Sequence, residues 1–170
     1  MKKILCALLV TFVAVAAHAG DEMKKLDWLA GEWKGEGWFQ RGPGPRSYVL
    51  QNEKVTPRIG GKVLLVEGLG KSKLENSAAG DVVHDALGII SWDAEKKQYR
   101  FAARSTSGDV DTTMDVGENR VVWGFATPQG GRVRYTMRLT PKGEWNEVGE
   151  FSMDGEKWMQ FFEMTLVKVK

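Results

Sequence analysis

The chain predicts an all-β fold: about ten antiparallel strands closed into an up-and-down barrel, behind a short N-terminal helix. Three observations predict it. Beyond Gly31 the helical period disappears, and short runs rich in Val, Ile, Tyr, Phe, Trp and Thr alternate with turn clusters such as IGGK, DAEKK, TSGD, PQGG, PKGE and MDGE. Within RVRYTMRL, residues Val133, Tyr135, Met137 and Leu139 fall on one face and Arg132, Arg134, Thr136 and Arg138 on the other, the pattern of a strand with one buried side. Strand follows strand at roughly 8–12 residue spacing, which suits a sandwich or a barrel. Closure is favoured because it removes the exposed edges of so many sequential hairpins.

The N-terminal residues MKKILCALLVTFVAVAAHA, 1–19, predict a cleaved signal peptide, with 20–170 as a single barrel domain. Lys2 and Lys3 form a positive n-region, an apolar run follows from Ile4 to Ala17, and Ala17-His18-Ala19 is a small-x-small cleavage site. A run of roughly 14 apolar residues is short against the ~20 that span a bilayer. Nothing later is apolar enough to span, so an exported protein, periplasmic or secreted, without an integral membrane segment is expected. Cys6 is the only cysteine and lies inside this leader, so the mature chain has no disulfide, thiol nucleophile or cysteine metal site. Loss of Lys2 and Lys3 takes the basic residues from 24 to 22 against 22 acidic ones, for no net charge. That balance argues against nucleic acid and against a polybasic membrane-surface role.

The segment 21–30 reads as a helix, with Met23, Leu26 and Leu29 at helical spacing and Gly31 placed to end it. Strands are expected over 32–39, 47–56, 62–70, 84–92, 98–105, 110–116, 120–126, 132–140, 145–152 and 157–169. Asp154-Gly155 and Gly130-Gly131 suit tight hairpins. The longest expected loop, KSKLENSAAGDVV over 71–83, is polar and is a candidate mobile rim. The first strand, GEWKGEGWF, mixes three glycines with two tryptophans. A closing strand must coil sharply, so Gly35 and Gly37 are expected where a neighbour approaches closely, with Trp33 lying across one end of the barrel.

Gly31-x-Trp33-x-Gly35-x-Gly37 in LAGEWKGEG resembles the first strand of lipocalin-like (calycin) barrels. Among these it is most similar to nitrobindin and to bacterial exported barrel families of unknown function, and LGIISWDAEKKQYRF and EFSMDGEKWMQFFEMTL also resemble the latter families. A barrel wider than eight strands can leave an internal cavity. Nitrobindin-like barrels hold haem through a histidine near the C-terminal end. Residues 157–169 contain none, and His84, the only histidine beyond the leader, sits at the edge of the fourth expected strand beside the rim loop. No cofactor is therefore expected, and His84 reads as a solvated rim residue.

Catalytic patterns are sparse. One histidine and no cysteine do not make a zinc site. No nucleophile elbow surrounds any serine that could join His84 in a triad. The acids Asp109, Asp111 and Asp115 of DVDTTMD share one strand face but lack the calcium-loop pattern, and read as a solvated face. No phosphate-binding glycine motif is present. The last strand is apolar on both faces, so its pattern does not decide whether Glu163 points inward; if it does, Arg100 or Arg104 is the expected partner. Glu147 raises the same question on the ninth strand.

Three readings follow. The first is a module that binds a small, mainly apolar molecule inside the barrel, with Trp33, Trp92, Tyr99, Phe101, Tyr135, Met137, Trp145 and Glu163 as candidate ligand-binding residues and no metal. The second is a protein–protein module, an inhibitor or envelope chaperone, with a protein partner. The third is an enzyme using an internal Glu–Arg pair.

Overall fold

A computed structural model describes residues 18–170, with side chains from Asp21 onward. The leader expected over 1–19 lies outside the described residues but for its last two positions. Helix α1 (His18–Lys24) is followed by a single 3-10 turn (Asp27–Leu29). Ten strands follow: β1 (Gly31–Phe39), β2 (Ser47–Arg58), β3 (Val63–Lys73), β4 (Ala79–Asp93), β5 (Gln98–Ser105), β6 (Gly108–Gly117), β7 (Arg120–Ala126), β8 (Arg132–Leu139), β9 (Trp145–Ser152) and β10 (Met159–Lys168). Each pairs antiparallel with the next, and β1 pairs with β10, so the sheet closes on itself as an up-and-down barrel.

Closure depends on the glycines of the first strand. Gly35 and Gly37 stand opposite Leu166 and Met164 of β10. A Cβ at Gly35 would lie 2.0 Å from the carbonyl oxygen of Thr165, and one at Gly37 would lie 2.6 Å from that of Glu163. The two backbones thus cross at a distance that only glycine permits. Trp33, two residues earlier, is 1 % exposed and donates its indole N–H to the Leu29 carbonyl at 2.8 Å. Its ring meets Trp145 edge-on at 5.8 Å.

The N-terminal segment plugs the end of the barrel where β1 begins. Met23, Leu26 and Leu29 are buried there against Trp33, Tyr99, Trp145 and Leu166. Tyr99 Oη donates to the Glu22 carbonyl oxygen at 2.8 Å and lies 3.0 Å from the Glu22 carboxylate, which pins α1 across the opening.

Two sequence expectations are corrected. The helix expected over 21–30 breaks after Lys24, and the 3-10 turn that replaces it lets Leu26 and Leu29 both face the barrel. The loop expected over 71–83 is mostly sheet: β3 runs to Lys73 and β4 starts at Ala79, with Ser77 at positive φ in the turn between them. The pairing of β3 with β4 is irregular around Lys71.

Candidate functional site

Alternation fixes which side chains enter the barrel. On β2 the buried residues are Val49, Gln51, Glu53 and Val55, so the polar pair Gln51–Glu53 points inward with the valines. Space for it comes from β3. Gln51 stands opposite Gly70 and Glu53 opposite Gly68. A Cβ at Gly68 would meet the Glu53 carboxyl at 2.8 Å, and one at Gly70 would meet Gln51 Oε1 at 2.5 Å. Gln51 Nε2 donates to Glu53 Oε1 at 2.7 Å.

A second carboxyl enters from β9. Glu147 is 7 % exposed and stands between Met137 of β8 and Met164 of β10. Around it are the Tyr135 phenol, the Glu53 carboxyl and Trp145, whose indole N–H acts on the Glu147 carboxyl without closing a hydrogen bond. Burial pushes the Glu53 carboxyl up to about 8, with the Gln51 hydrogen bond opposing and the nearby charge of Glu147 adding to the rise. Burial pushes Glu147 up to about 7, against the Trp145 N–H. Among the described residues no Lys or Arg forms an ion pair with either carboxyl.

The lumen around these groups is hollow. It consists of two adjoining lobes of about 330 and 360 Å³, and Glu53, His84, Trp123, Tyr135 and Glu147 line both. A volume of this size suits a small organic molecule. One lobe runs toward the plugged end past Ile90, Phe101, Met137 and Trp145. The other reaches the opposite rim at Phe39, Arg41 and Phe161. The wall across from β2 is aromatic: Trp123 stacks on Tyr135 at 4.4 Å, Phe101 meets Trp123 edge-on at 4.9 Å, and Phe162 meets Tyr135 at 5.9 Å. Burial and Glu147 raise the Tyr135 phenol well above its usual range.

The sequence-predicted residues separate into three groups. Phe101, Tyr135, Met137 and Trp145 line the lumen. Trp33, Trp92 and Tyr99 pack at the plugged end under the N-terminal segment and form its floor rather than its walls. Glu163 lies on the outer face: Phe162, Met164 and Leu166 turn inward, and Glu163 accepts from Gln160 Nε2 at 3.1 Å and from Asn146 Nδ2 at 3.4 Å. Its suggested partners are outside as well, Arg100 beside Asp93 at 3.9 Å and Arg104 beside Asp109 and Asp111 at 3.4 and 3.0 Å. The conditional internal Glu163–Arg pair is thus replaced by two carboxyls without an arginine. His84 is also corrected: it turns into the lumen, half-buried, and burial lowers its pKa against the pull of Asp85.

Gln51, Glu53 and Trp123 were not among the expected site residues. A signal for the first two is present in the sequence, since Val49, Gln51, Glu53 and Val55 alternate in phase and the next strand carries two glycines at the matching spacing. Among the described residues no cluster of three or more His, Cys, Asp or Glu side chains is arranged to hold a metal ion, and no helix is long and apolar enough to cross a membrane.

A ten-stranded closed barrel, plugged at one end and hollow within, is a lipocalin-like barrel. Comparison with solved structures agrees. The chain is similar to Rv2717c from M. tuberculosis, with a TM-score of 0.62 at 13 % identity over 87 % of this chain and 97 % of that one. It is also similar to the S-type phycobiliprotein lyase CPES from Guillardia theta, with a TM-score of 0.59 at 9 % identity over 94 % of this chain and 98 % of that one. At these identities the likeness is one of fold. No protein-family profile matches the chain, and comparison with curated proteins finds no match.

Proposed function

We propose that this protein is an exported binding barrel that holds a small, mainly apolar molecule in its lumen, with a polar group of that molecule at the Glu53–Glu147 centre. The observation that carries this reading is the pair of adjoining lobes of about 330 and 360 Å³ that share Glu53, His84, Trp123, Tyr135 and Glu147. A barrel filled by its own side chains has no need of Gly68 and Gly70 beneath two buried polar groups. Uncompensated carboxyls in an apolar interior are costly, and a site that uses them accounts for their presence. One structural neighbour is a phycobiliprotein lyase, which supports a role for such a barrel in handling another molecule.

The test is a panel of small apolar compounds, neutral, cationic and anionic, read by tryptophan emission and thermal shift. Trp123 and Trp145 line the lumen and report on it. At least one class shifts both signals in the wild type. The shift is lost in Ala103→Phe, which fills the lobe lined by Ala103 while circular dichroism shows the barrel intact. A silent panel argues against the reading. Export is checked by sequencing the mature N-terminus, expected at Gly20.

A second reading, a protein-binding module, draws on exposed Leu87 and Ile89 on the outer face of β4. It ranks below the first because it gives the hollow lumen no role.

A further inference from the structure

We propose that the lumen is built for an organic cation: a protonated amine on an apolar or aromatic body, with its nitrogen between Glu53 and Glu147 and its body against the Trp123–Tyr135 stack. This deepens the binding-barrel reading and rests on it.

Charge is the first argument. The groups that face the shared centre of the two lobes are Gln51, Glu53, His84, Tyr135 and Glu147, and none is a fixed cation. At the rim Asp109 is paired with Arg104 at 3.4 Å, and Arg41 lies over Phe39 at 5.5 Å, both outside the centre. An anionic head would meet two carboxyls that already oppose each other's ionisation. A cation relieves that repulsion and supplies the missing counter-charge.

Unpartnered groups supply the second argument. Glu147 is 7 % exposed, lines both lobes and has no basic partner among the described residues. The Trp145 indole N–H, on a residue 3 % exposed, is a buried donor directed at the Glu147 carboxyl without closing a hydrogen bond to it. An amine donates to the carboxyls, and once Glu147 is held ionised it becomes the better acceptor for that N–H. The aromatic wall is the third argument. Trp123, Tyr135 and Phe101 form an aromatic wall of the lumen, on strands across the barrel from Glu53 and beside Glu147. Cations favour aromatic surroundings when water is excluded. The cavity thus places aromatic rings and both carboxyls around one centre.

Isothermal titration calorimetry on the full mature protein tests this, with naphthylmethylamine against its uncharged and anionic counterparts, naphthylmethanol and naphthoate. The amine is expected to bind about tenfold or more tighter than the alcohol. Its affinity should rise from about pH 6 to about pH 8, with protons released to the buffer, because binding forces the carboxyls to ionise. Glu53→Gln and Glu147→Gln should each erase most of the preference for the amine over the alcohol, and Glu163→Gln on the outer face should keep it. Removing a buried carboxyl favours folding at neutral pH, so the two lumen variants remain measurable. Alcohol or naphthoate binding as tightly as the amine, or amine affinity falling with pH, overturns the cation while the binding barrel stands. No binding of the three beside a positive panel has the same meaning, and silence in both experiments overturns both readings.

Discussion

Glu53 on β2 and Glu147 on β9 enter one lumen with no cation between them, and the charge of Glu147 raises the proton affinity of Glu53. Most buried acid pairs in folded proteins are offset by a basic partner or a metal. Here the offset is protonation: burial holds Glu53 up to about 8 and Glu147 up to about 7. Below about pH 7 the centre is therefore neutral through protonation.

That neutrality fixes a pH dependence of stability. Both groups bind protons more tightly folded than unfolded, so their contribution is fully present below the ordinary carboxyl range and is lost as pH rises toward about 7 for Glu147 and about 8 for Glu53. The free energy of urea unfolding should fall between about pH 5 and about pH 8, by an amount of order 2–4 kcal/mol. Glu53→Gln should flatten most of the slope and raise stability at the alkaline end. A flat wild-type profile would contradict the burial of these acids.

The seam between β1 and β10 makes a steric prediction. Gly35→Ala places a methyl 2.0 Å from the Thr165 carbonyl, against main chain that cannot swing aside. A loss of about 3 kcal/mol or more, or failure to fold, is expected. Gly44→Ala, whose nearest neighbour would be 3.7 Å away, should stay within about 0.5 kcal/mol of the wild type. Denaturant midpoints of the two variants decide it.

The plug has its own test. Tyr99→Phe removes the hydroxyl that donates to Glu22 and keeps the ring. About 1 kcal/mol of local stability should go, and amide exchange should quicken through α1 and the 3-10 turn before the strands respond. Uniformly changed exchange across the barrel would mean that the segment is not an independently opening plug.

The aromatic wall predicts a larger loss. Trp123 touches Phe101, Phe125 and Tyr135, so Trp123→Ala opens a void at the centre of that wall. Stability should fall by about 3 kcal/mol, and affinity for any lumen ligand should fall with it, measured by calorimetry beside thermal melts. Val167→Ala, exposed on the outer face of β10, should change neither.

The fold was legible because its signals are local. Val133, Tyr135, Met137 and Leu139 declare a strand without reference to any partner, and hairpin turns set the order of the rest. Gly35 and Gly37 announced close approach, although only the structure shows that it is the closing seam. The site was less legible because it depends on facing. Glu163 and Glu147 look alike in sequence, each an acid among aromatics, and one residue of phase sends the first outward and the second inward. A bulge between Gln160 and Phe162 shifts the alternation of β10, and no composition rule reveals that. Glu53 was hidden by the opposite habit, since a charged residue in a polar-looking run is taken as exposed, and the clue lay on another strand at Gly68.

The central claim is that the barrel encloses a guest between its acids and its aromatic wall. The most direct measurement is a crystal structure of the protein with naphthylmethylamine. The account predicts density within the lumen, with the nitrogen in hydrogen-bond reach of Glu53 and Glu147 and the rings against Trp123 and Tyr135. A guest found only on the outer surface, or a lumen closed by its own side chains, would contradict it.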